Sequence, residues 1–318
     1  MTFEEARQLI DAAASCGVDA VKLQTYRADT LASQVAMFDM ENTGVVSQHA
    51  LFKKYEVDEE LHRKVFSYAE TLGLDWFSTP AHETDVELLE QLGVGAYKIG
   101  SDDAVNLPFL RYIARKGKPI FLSTGMCTMG EVQMSVDAIL GEGNRQLVLL
   151  HAVTSYPTHP EDVNLRAMQA MMRSFPELEI GYSDHTVTPV ASLAAVAMGA
   201  RVVERHFTWD KRAVGPDHML SADPAEMAWL VQAVRSFEIM RGTGIKSPAA
   251  SERSTRVNNR KSLVLVRDMN QGAHITRGDL AIKRPGTGIP PCALDQVIGR
   301  ALRSGMRADD VLRWDDLH

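Results

Sequence analysis

The chain has 318 residues, 45% of them hydrophobic and 24% charged, with a formal net charge of -7. That composition suits a globular protein large enough for one α/β domain and a smaller module. The acidic balance, with no basic stripe interleaved with aromatics, excludes a nucleic-acid binder, and no apolar run reaches the ~18 residues of a membrane-spanning helix. Cys16, Cys127 and Cys292 are scattered and odd in number, which fits neither a disulfide framework nor a thiolate zinc site. With no signal pattern at the N-terminus, the expectation is a cytoplasmic chain.

Residues 2–17 predict an amphipathic helix, with Thr2 as cap, Glu4 and Glu5 in the first turn and Gly17 at the end. Short apolar runs then recur at 20–25, 75–79, 96–99, 119–123, 147–153, 179–183 and 201–206. Segments of helical period follow them at 59–72, 83–92, 107–115, 130–140, 165–175, 189–198 and 224–241. Strand–helix alternation of this kind predicts a parallel sheet. Seven strands behind an opening helix leave an eight-fold barrel one strand short. Residues 27–55 break the alternation and are polar in the middle (Glu41-Asn42-Thr43-Gly44), reading either as an active-site loop or as mobile surface. The texture changes after Arg241: 1–241 reads as the barrel domain, 242–258 as a linker and 259–318 as a small β-rich module.

Four constellations carry chemistry. His185 ends the sixth run and His206 the seventh, each preceded closely by an acid, Asp184 or Glu204. Imidazoles at the C-terminal ends of adjacent parallel strands can hold a divalent metal and leave positions open for substrate. No thiolate accompanies them, so manganese, magnesium and zinc all remain open. Lys22 and Lys98 lie inside strand runs, where an ammonium needs a partner. With Thr79, Ser101 and the Ser123-Thr124-Gly125 turn they compose an anion site for phosphate or carboxylate. The polar turn from His151 to Thr158 offers hydroxyls to a polyol, and Asp217, in Gly-Pro-Asp-His, is either a substrate ligand or a turn aspartate.

Taken together in order, the motifs resemble one family. They are Val-Lys-Leu-Gln-Thr (21–25), Phe-Ser-Thr-Pro (77–80), Tyr-Lys-Ile-Gly-Ser (97–101), Leu-Ser-Thr-Gly-Met (122–126) and His-Ala-Val-Thr-Ser-Tyr-Pro-Thr (151–158). Gly-Tyr-Ser-Asp-His-Thr (181–186), Glu-Arg-His-Phe-Thr (204–208), Gly-Pro-Asp-His (215–218) and Lys-Arg-Pro-Gly-Thr-Gly-Ile (283–289) follow. Over nearly the whole chain this is similar to the sialic acid (N-acetylneuraminate) synthases.

The resemblance implies a TIM (β/α)8 barrel followed by an antifreeze-like SAF domain, in a domain-swapped homodimer. It implies condensation of phosphoenolpyruvate with an N-acetylated hexose, with manganese or magnesium as cofactor. His185 and His206 would be metal ligands, and Glu204 the group for proton transfer. Lys22, Thr79, Lys98, Ser101, Ser123 and Ser183 would hold phosphoenolpyruvate. Gln24, Tyr156, Asp217 and, from the other subunit, Arg284 would meet the sugar, with Thr154 standing where asparagine or serine is commoner in the family. The Arg-Pro-Gly-Thr-Gly-Ile stretch resembles neuraminate and legionaminate synthases more than pseudaminate synthases.

The family pattern departs in two places. A strand with Ala-Glu-Ile-Gly-x-Asn-His usually precedes the first helix and supplies a glutamate to the site, whereas this sequence opens in the helix. Ser101-Asp102-Asp103 also stands where Ser-Gly-Glu is frequent. The first departure keeps a second class open, a sugar- or metal-binding member without turnover. A third reading, independent of the resemblance, is a metal-dependent aldolase or hydrolase acting without phosphoenolpyruvate.

Overall fold

The computed structural model describes residues 2–40 and 43–318. The chain divides into two compact units, Met1–Arg241 and Gly242–His318.

The first unit opens with α1 (Phe3–Ser15), β1 (Ala20–Thr25) and the single turn α2 (Ala28–Leu31). A hairpin of β2 (Met37–Met40) and β3 (Gly44–Ser47) leads into α3 (Gln48–Tyr55). From there strands and helices alternate: α4 (Glu59–Thr71), β4 (Asp75–Pro80), α5 (Glu83–Leu92), β5 (Tyr97–Ile99), α6 (Leu107–Ala114) and β6 (Ile120–Ser123). The series continues with α7 (Met129–Gly141), β7 (Leu147–Ala152), α8 (Leu165–Ser174), β8 (Glu179–Asp184), α9 (Val190–Ala197), β9 (Val203–Arg205) and α10 (Pro224–Met240).

All seven long-range strands pair in parallel, in the order β1-β4-β5-β6-β7-β8-β9. Among the described residues no ladder joins β1 to β9. The sheet is nonetheless curled: Lys98 on β5 reaches Glu204 on β9 at 3.4 Å, although β6, β7 and β8 lie between them in the ladder. Lys22 on β1 reaches the same carboxylate at 3.3 Å. Behind the strand ends, Cys16, Ala222 and Met227 form an apolar seam with Val18 and Phe207, and Arg235 on α10 pairs with Asp19 at 2.6 Å. The architecture is a curled, TIM-like half-barrel.

The local sequence explains its parts. Thr2 accepts from the Glu5 amide, Glu5 returns the bond to the Thr2 amide, and Gly17 leaves the helix at φ +79. The strands are short apolar runs because both faces are covered. Tyr97, Ile99, Ile120, Leu122, Leu149 and Tyr182 are fully buried against helix residues such as Leu110, Ile113 and Ile139. One polar chain runs through this layer. Buried His62 on α4 donates through Nδ1 to the Asp58 carbonyl (2.8 Å) and meets the Thr25 hydroxyl through Nε2 (2.9 Å); Thr25 in turn meets Ser78 at 2.6 Å. It fastens α4 to the ends of β1 and β4. Residues 27–55, read from sequence as a loop, contain two helices and a hairpin instead, although Glu41 and Asn42 lie outside the described residues.

In the second unit the stretch expected as a linker is exposed, and carries a 3-10 turn (Ala250–Glu252) and α11 (Arg253–Asn259). Beyond it, β10 (Ser262–Leu265) and β11 (Leu280–Lys283) pair antiparallel, and a one-turn α12 (Leu294–Val297) follows. Leu263, Leu265, Ile275, Ile289, Val297, Leu302 and Leu312 fill a small core. Asp279 is buried and takes the Thr276 hydroxyl and amide and the Arg267 guanidinium, which hold its carboxyl down at about 2.

Two consequences can be measured. A Cβ at Gly181 would lie 2.5 Å from the Val202 carbonyl oxygen and 2.6 Å from Leu150 Cδ2, so Gly181→Ala must push β8 off its neighbours. The expected loss is about 1–3 kcal/mol, read from the urea midpoint; an unchanged midpoint would contradict the close approach. The depressed Asp279 contributes stability that is complete above the ordinary aspartate value of 3.8 and fades as pH falls toward about 2. Asp279→Asn is therefore expected to flatten the acid limb of the second unit's unfolding curve.

Candidate active site

The site lies on the concave face of the half-barrel, and strand period 2 decides which side chains reach it. Register sets Lys22 beside Phe77, Gln24 beside Thr79, Lys98 beside Phe121 and Ser183 beside Glu204. Phe77 and Phe121 stack on that face at 5.1 Å, an apolar floor that the sequence did not announce.

At the centre Glu204 joins both lysines and accepts the Ser183 hydroxyl at 2.8 Å. Burial alone would raise its carboxyl; Lys98, Lys22 and the Ser183 bond outweigh burial and hold it well below the usual carboxylate range. The proton-transfer candidate is thus an ionised carboxylate whose basicity the two lysines hold down. Lys98, only 4% exposed, donates to Ser123 Oγ at 2.7 Å and to the Ile99 carbonyl at 3.0 Å. A buried ammonium with that many acceptors is satisfied as a cation.

Next to the lysines is a hydroxyl-lined nook. Ser101 Oγ accepts the Gly125 amide at 3.0 Å. A Cβ on Gly125 would fall 2.2 Å from Thr154 Oγ1 and 2.8 Å from Ser101 Oγ, so glycine is required for the three to converge. The Thr79 and Thr154 hydroxyls are buried with no protein partner among the described residues. Buried polar atoms without partners are uncommon, and an anionic oxygen would satisfy them.

The imidazoles stand together on the other side of Glu204. His185 and His206 rings are 5.4 Å apart, and Tyr156 lies 4.4 Å from the first and 6.1 Å from the second. The Val153 carbonyl accepts from His185 Nδ1 at 2.9 Å, which fixes the tautomer and leaves Nε2 with its lone pair. Burial, then His185 and Lys22, push His206 down to about 3, so it is neutral at ordinary pH. Two neutral imidazoles, one oriented through its far nitrogen, fit a divalent cation. Among the described residues no third histidine, cysteine or carboxylate completes a protein-only cluster, so water or substrate would fill the remaining positions. Asp217 Oδ2 is 3.8 Å from His206 Nδ1.

Most residues expected from sequence are therefore gathered on one face: Lys22, Lys98, Ser101, Ser123, Thr154, Tyr156, Ser183, His185, Glu204, His206 and Asp217. Gln24 shares the Lys22 face of β1 and is exposed, and Thr79 stands beside it in register. Arg284 belongs to the second unit, where its guanidinium donates to Asn259 Oδ1 at 3.5 Å. Sequence reading missed Gly125 as a steric requirement and Arg205 altogether. Arg205 is a charge inside a strand run, the same signal that exposed the lysines.

The chain is similar to known proteins over most of its length. The NeuB family model matches residues 9–246, and the SAF domain model matches residues 260–318. An N,N'-diacetyllegionaminic acid synthase of Legionella pneumophila is 40% identical over 320 residues, covering 98% of this chain and 90% of that protein. The N-acetylneuraminate-9-phosphate synthase of Homo sapiens is 32% identical, covering 98% and 87%. The crystal structure of the N-acetylneuraminic acid synthetase of Leptospira borgpetersenii, 30% identical, superposes with a TM-score of 0.71 over 80% of this chain and 85% of that one. The match of the family model over residues 9–246 settles the relationship: the chain belongs to the NeuB family and carries a SAF domain over residues 260–318.

Proposed function

We propose that this protein condenses phosphoenolpyruvate with the open-chain aldehyde of an N-acetylated hexose, N-acetylmannosamine or a related 2,4-diacetamido sugar. The products are a nine-carbon 2-keto acid of the sialic or legionaminic type and inorganic phosphate. The observation that carries this reading is the Lys22–Glu204–Lys98 bridge, on the strand ends that also bear threonine hydroxyls without protein partners and two neutral imidazoles. Named relatives that make legionaminic and neuraminic acids support the product class.

Each residue has a task in that scheme. Lys22 and Lys98, with Thr79, Ser101, Ser123, Thr154 and Ser183, neutralise and orient the phosphate and carboxylate of phosphoenolpyruvate. His185 and His206 hold manganese or magnesium, which supplies Lewis-acid polarisation of the aldehyde oxygen when bound. Tyr156, Asp217 and Gln24 face the sugar, joined by Arg284 in a domain-swapped homodimer. The methylene carbon of phosphoenolpyruvate forms a bond to the aldehyde carbon, whose oxygen takes up a proton from solvent. Water adds to the cationic C2 and gives one proton to ionised Glu204; the C2–O bond to phosphate then breaks, phosphate leaving with the electron pair as the new C2 hydroxyl loses its proton to solvent and becomes the keto group. No helix among the described residues is long and apolar enough to cross a membrane; cytoplasmic activity is part of the proposal.

The test is phosphate release from phosphoenolpyruvate with each sugar and Mn2+. Turnover with either sugar is expected. A carbon–carbon bond formed without phosphoenolpyruvate would overturn the reading in favour of a metal aldolase. A second reading, binding without turnover, is favoured by the seven-stranded ladder in which β1 and β9 are not paired; saturable phosphoenolpyruvate and Mn2+ binding without phosphate release identifies it.

Two substitutions separate the halves of the site. His185→Ala is expected to lower kcat by about 100-fold or more and to abolish saturable Mn2+ uptake, leaving phosphoenolpyruvate affinity within about twofold. Lys98→Met removes a charge-assisted contact, so the phosphoenolpyruvate dissociation constant should rise about 10–100-fold while Mn2+ uptake persists. Calorimetry on the two variants reads both quantities, and coupled loss in both variants would show that the halves are not separate.

A further inference from the structure

The register that sets Ser183 opposite Glu204 on the concave face sets Asp184 opposite Arg205 on the other. Arg205 Nη1 donates to Asp184 Oδ2 at 2.6 Å, with the two side chains 1% and 0% exposed. Neither touches the concave face: Asp184 also takes the Ser192 hydroxyl of α9, and the Tyr182 hydroxyl lies 3.4 Å from its Oδ1.

What the pair holds is backbone beyond the strand ends. Asp184 Oδ1 accepts the Thr186 amide at 2.9 Å, and Arg205 Nη2 donates to the Thr186 carbonyl at 2.7 Å. Both polar groups of the residue after His185 are thereby fixed. The same Nη2 reaches the Leu220 carbonyl at 3.4 Å, at the end of the segment that carries Asp217. That segment is also tied by Ala222 to the His206 carbonyl at 2.8 Å and by Ser221 to the Asp217 carbonyl at 3.0 Å. His206 itself directly follows Arg205. One guanidinium therefore links the chain around both imidazoles and the return of the Asp217 segment. Net stability does not explain a charged pair here, because a buried ion pair is on average no better than an apolar pair of similar volume. Its distinctive capacity is to fix three backbone points at once, the Thr186 amide through Asp184 and the Thr186 and Leu220 carbonyls through the planar guanidinium.

We propose that Asp184 and Arg205 are positioning residues that set the spacing of His185 and His206 and the stance of Asp217, and so determine the affinity of the imidazole pair for a divalent metal. The inference rests on the metal reading of those imidazoles. Lysine at 205 keeps the charge but, as a point donor, cannot serve Asp184, Thr186 and Leu220 together.

The experiment uses the full chain with Mn2+ alone and phosphoenolpyruvate alone as probes. Free Mn2+ is measured by electron paramagnetic resonance and phosphoenolpyruvate binding by calorimetry, for the unaltered chain, His185→Ala and Arg205→Lys. In Arg205→Lys, Mn2+ affinity is expected to fall about 10–100-fold, with phosphoenolpyruvate affinity within about twofold, because Lys22, Lys98 and Ser123 stand on β1, β5 and β6, none of which the Arg205 side chain bonds. Unchanged Mn2+ affinity, or parallel loss of both ligands in step with a lower Tm, overturns the inference and makes the pair merely structural. If Arg205→Lys does not fold, Asp184→Asn with Arg205→Gln, which leaves no lone buried charge, is measured with the same expectations. Failure of the metal reading is seen separately, in the unaltered chain: no saturable Mn2+ uptake that His185→Ala removes, which overturns both.

Discussion

Glu204 is the group on which this site depends. Its two oxygens engage cations from β1 and β5, strands that lie far from β9 in ladder order, so the contact exists only because the sheet is curled. The dependence runs the other way as well. Lys98 is almost fully buried, and an ammonium in that position needs an anion or several acceptors to remain charged. Glu204 provides the anion, Ser123 and the Ile99 carbonyl the acceptors. The curl brings the charges together, and the charges hold the ends of the curl.

An anion arriving at the site alters this balance. Phosphate or carboxylate oxygens would share the lysines with Glu204 and meet the unpartnered Thr79 and Thr154 hydroxyls. The resident carboxylate keeps the lysines ordered beforehand, so an arriving anion would demand little reorganisation of them. The neighbouring imidazoles stay neutral for an electrostatic reason: burial and the nearby cation disfavour a proton on His206. One cluster of charges thus keeps two lysines ordered and an imidazole beside them uncharged.

Much of this was legible in the sequence, for identifiable reasons. Strands covered on both faces must be short apolar runs, which is why β1 and β4–β9 were found near their observed bounds. Lys22 and Lys98 stood out because a charge within such a run requires a partner. Residues 27–55 were misread because β2 and β3 are four-residue strands, and β3 exposes Val45 at 69%, giving no buried periodicity to detect. Arg205 carried the same signal as the lysines but lay between Glu204 and His206, where a motif reading absorbs it. Its partner could be assigned only from register, which local sequence does not contain.

Register also explains how one short segment serves two purposes. Ser183 and Asp184 are consecutive, as are Glu204 and Arg205, yet alternation sends the first of each pair to the concave face and the second to the helix layer. The hydrogen bond from Ser183 to Glu204 and the ion pair between Asp184 and Arg205 are adjacent rungs on opposite faces of the same two strands. A slip of one residue between β8 and β9 would exchange them, burying Glu204 among helix side chains and turning Arg205 onto the lysines. Both errors place an unpaired charge or a like-charge contact in a buried setting, so both disfavour the slipped sheet strongly. The charges that would handle an anionic substrate are therefore also the charges that fix the alignment of the strands bearing them.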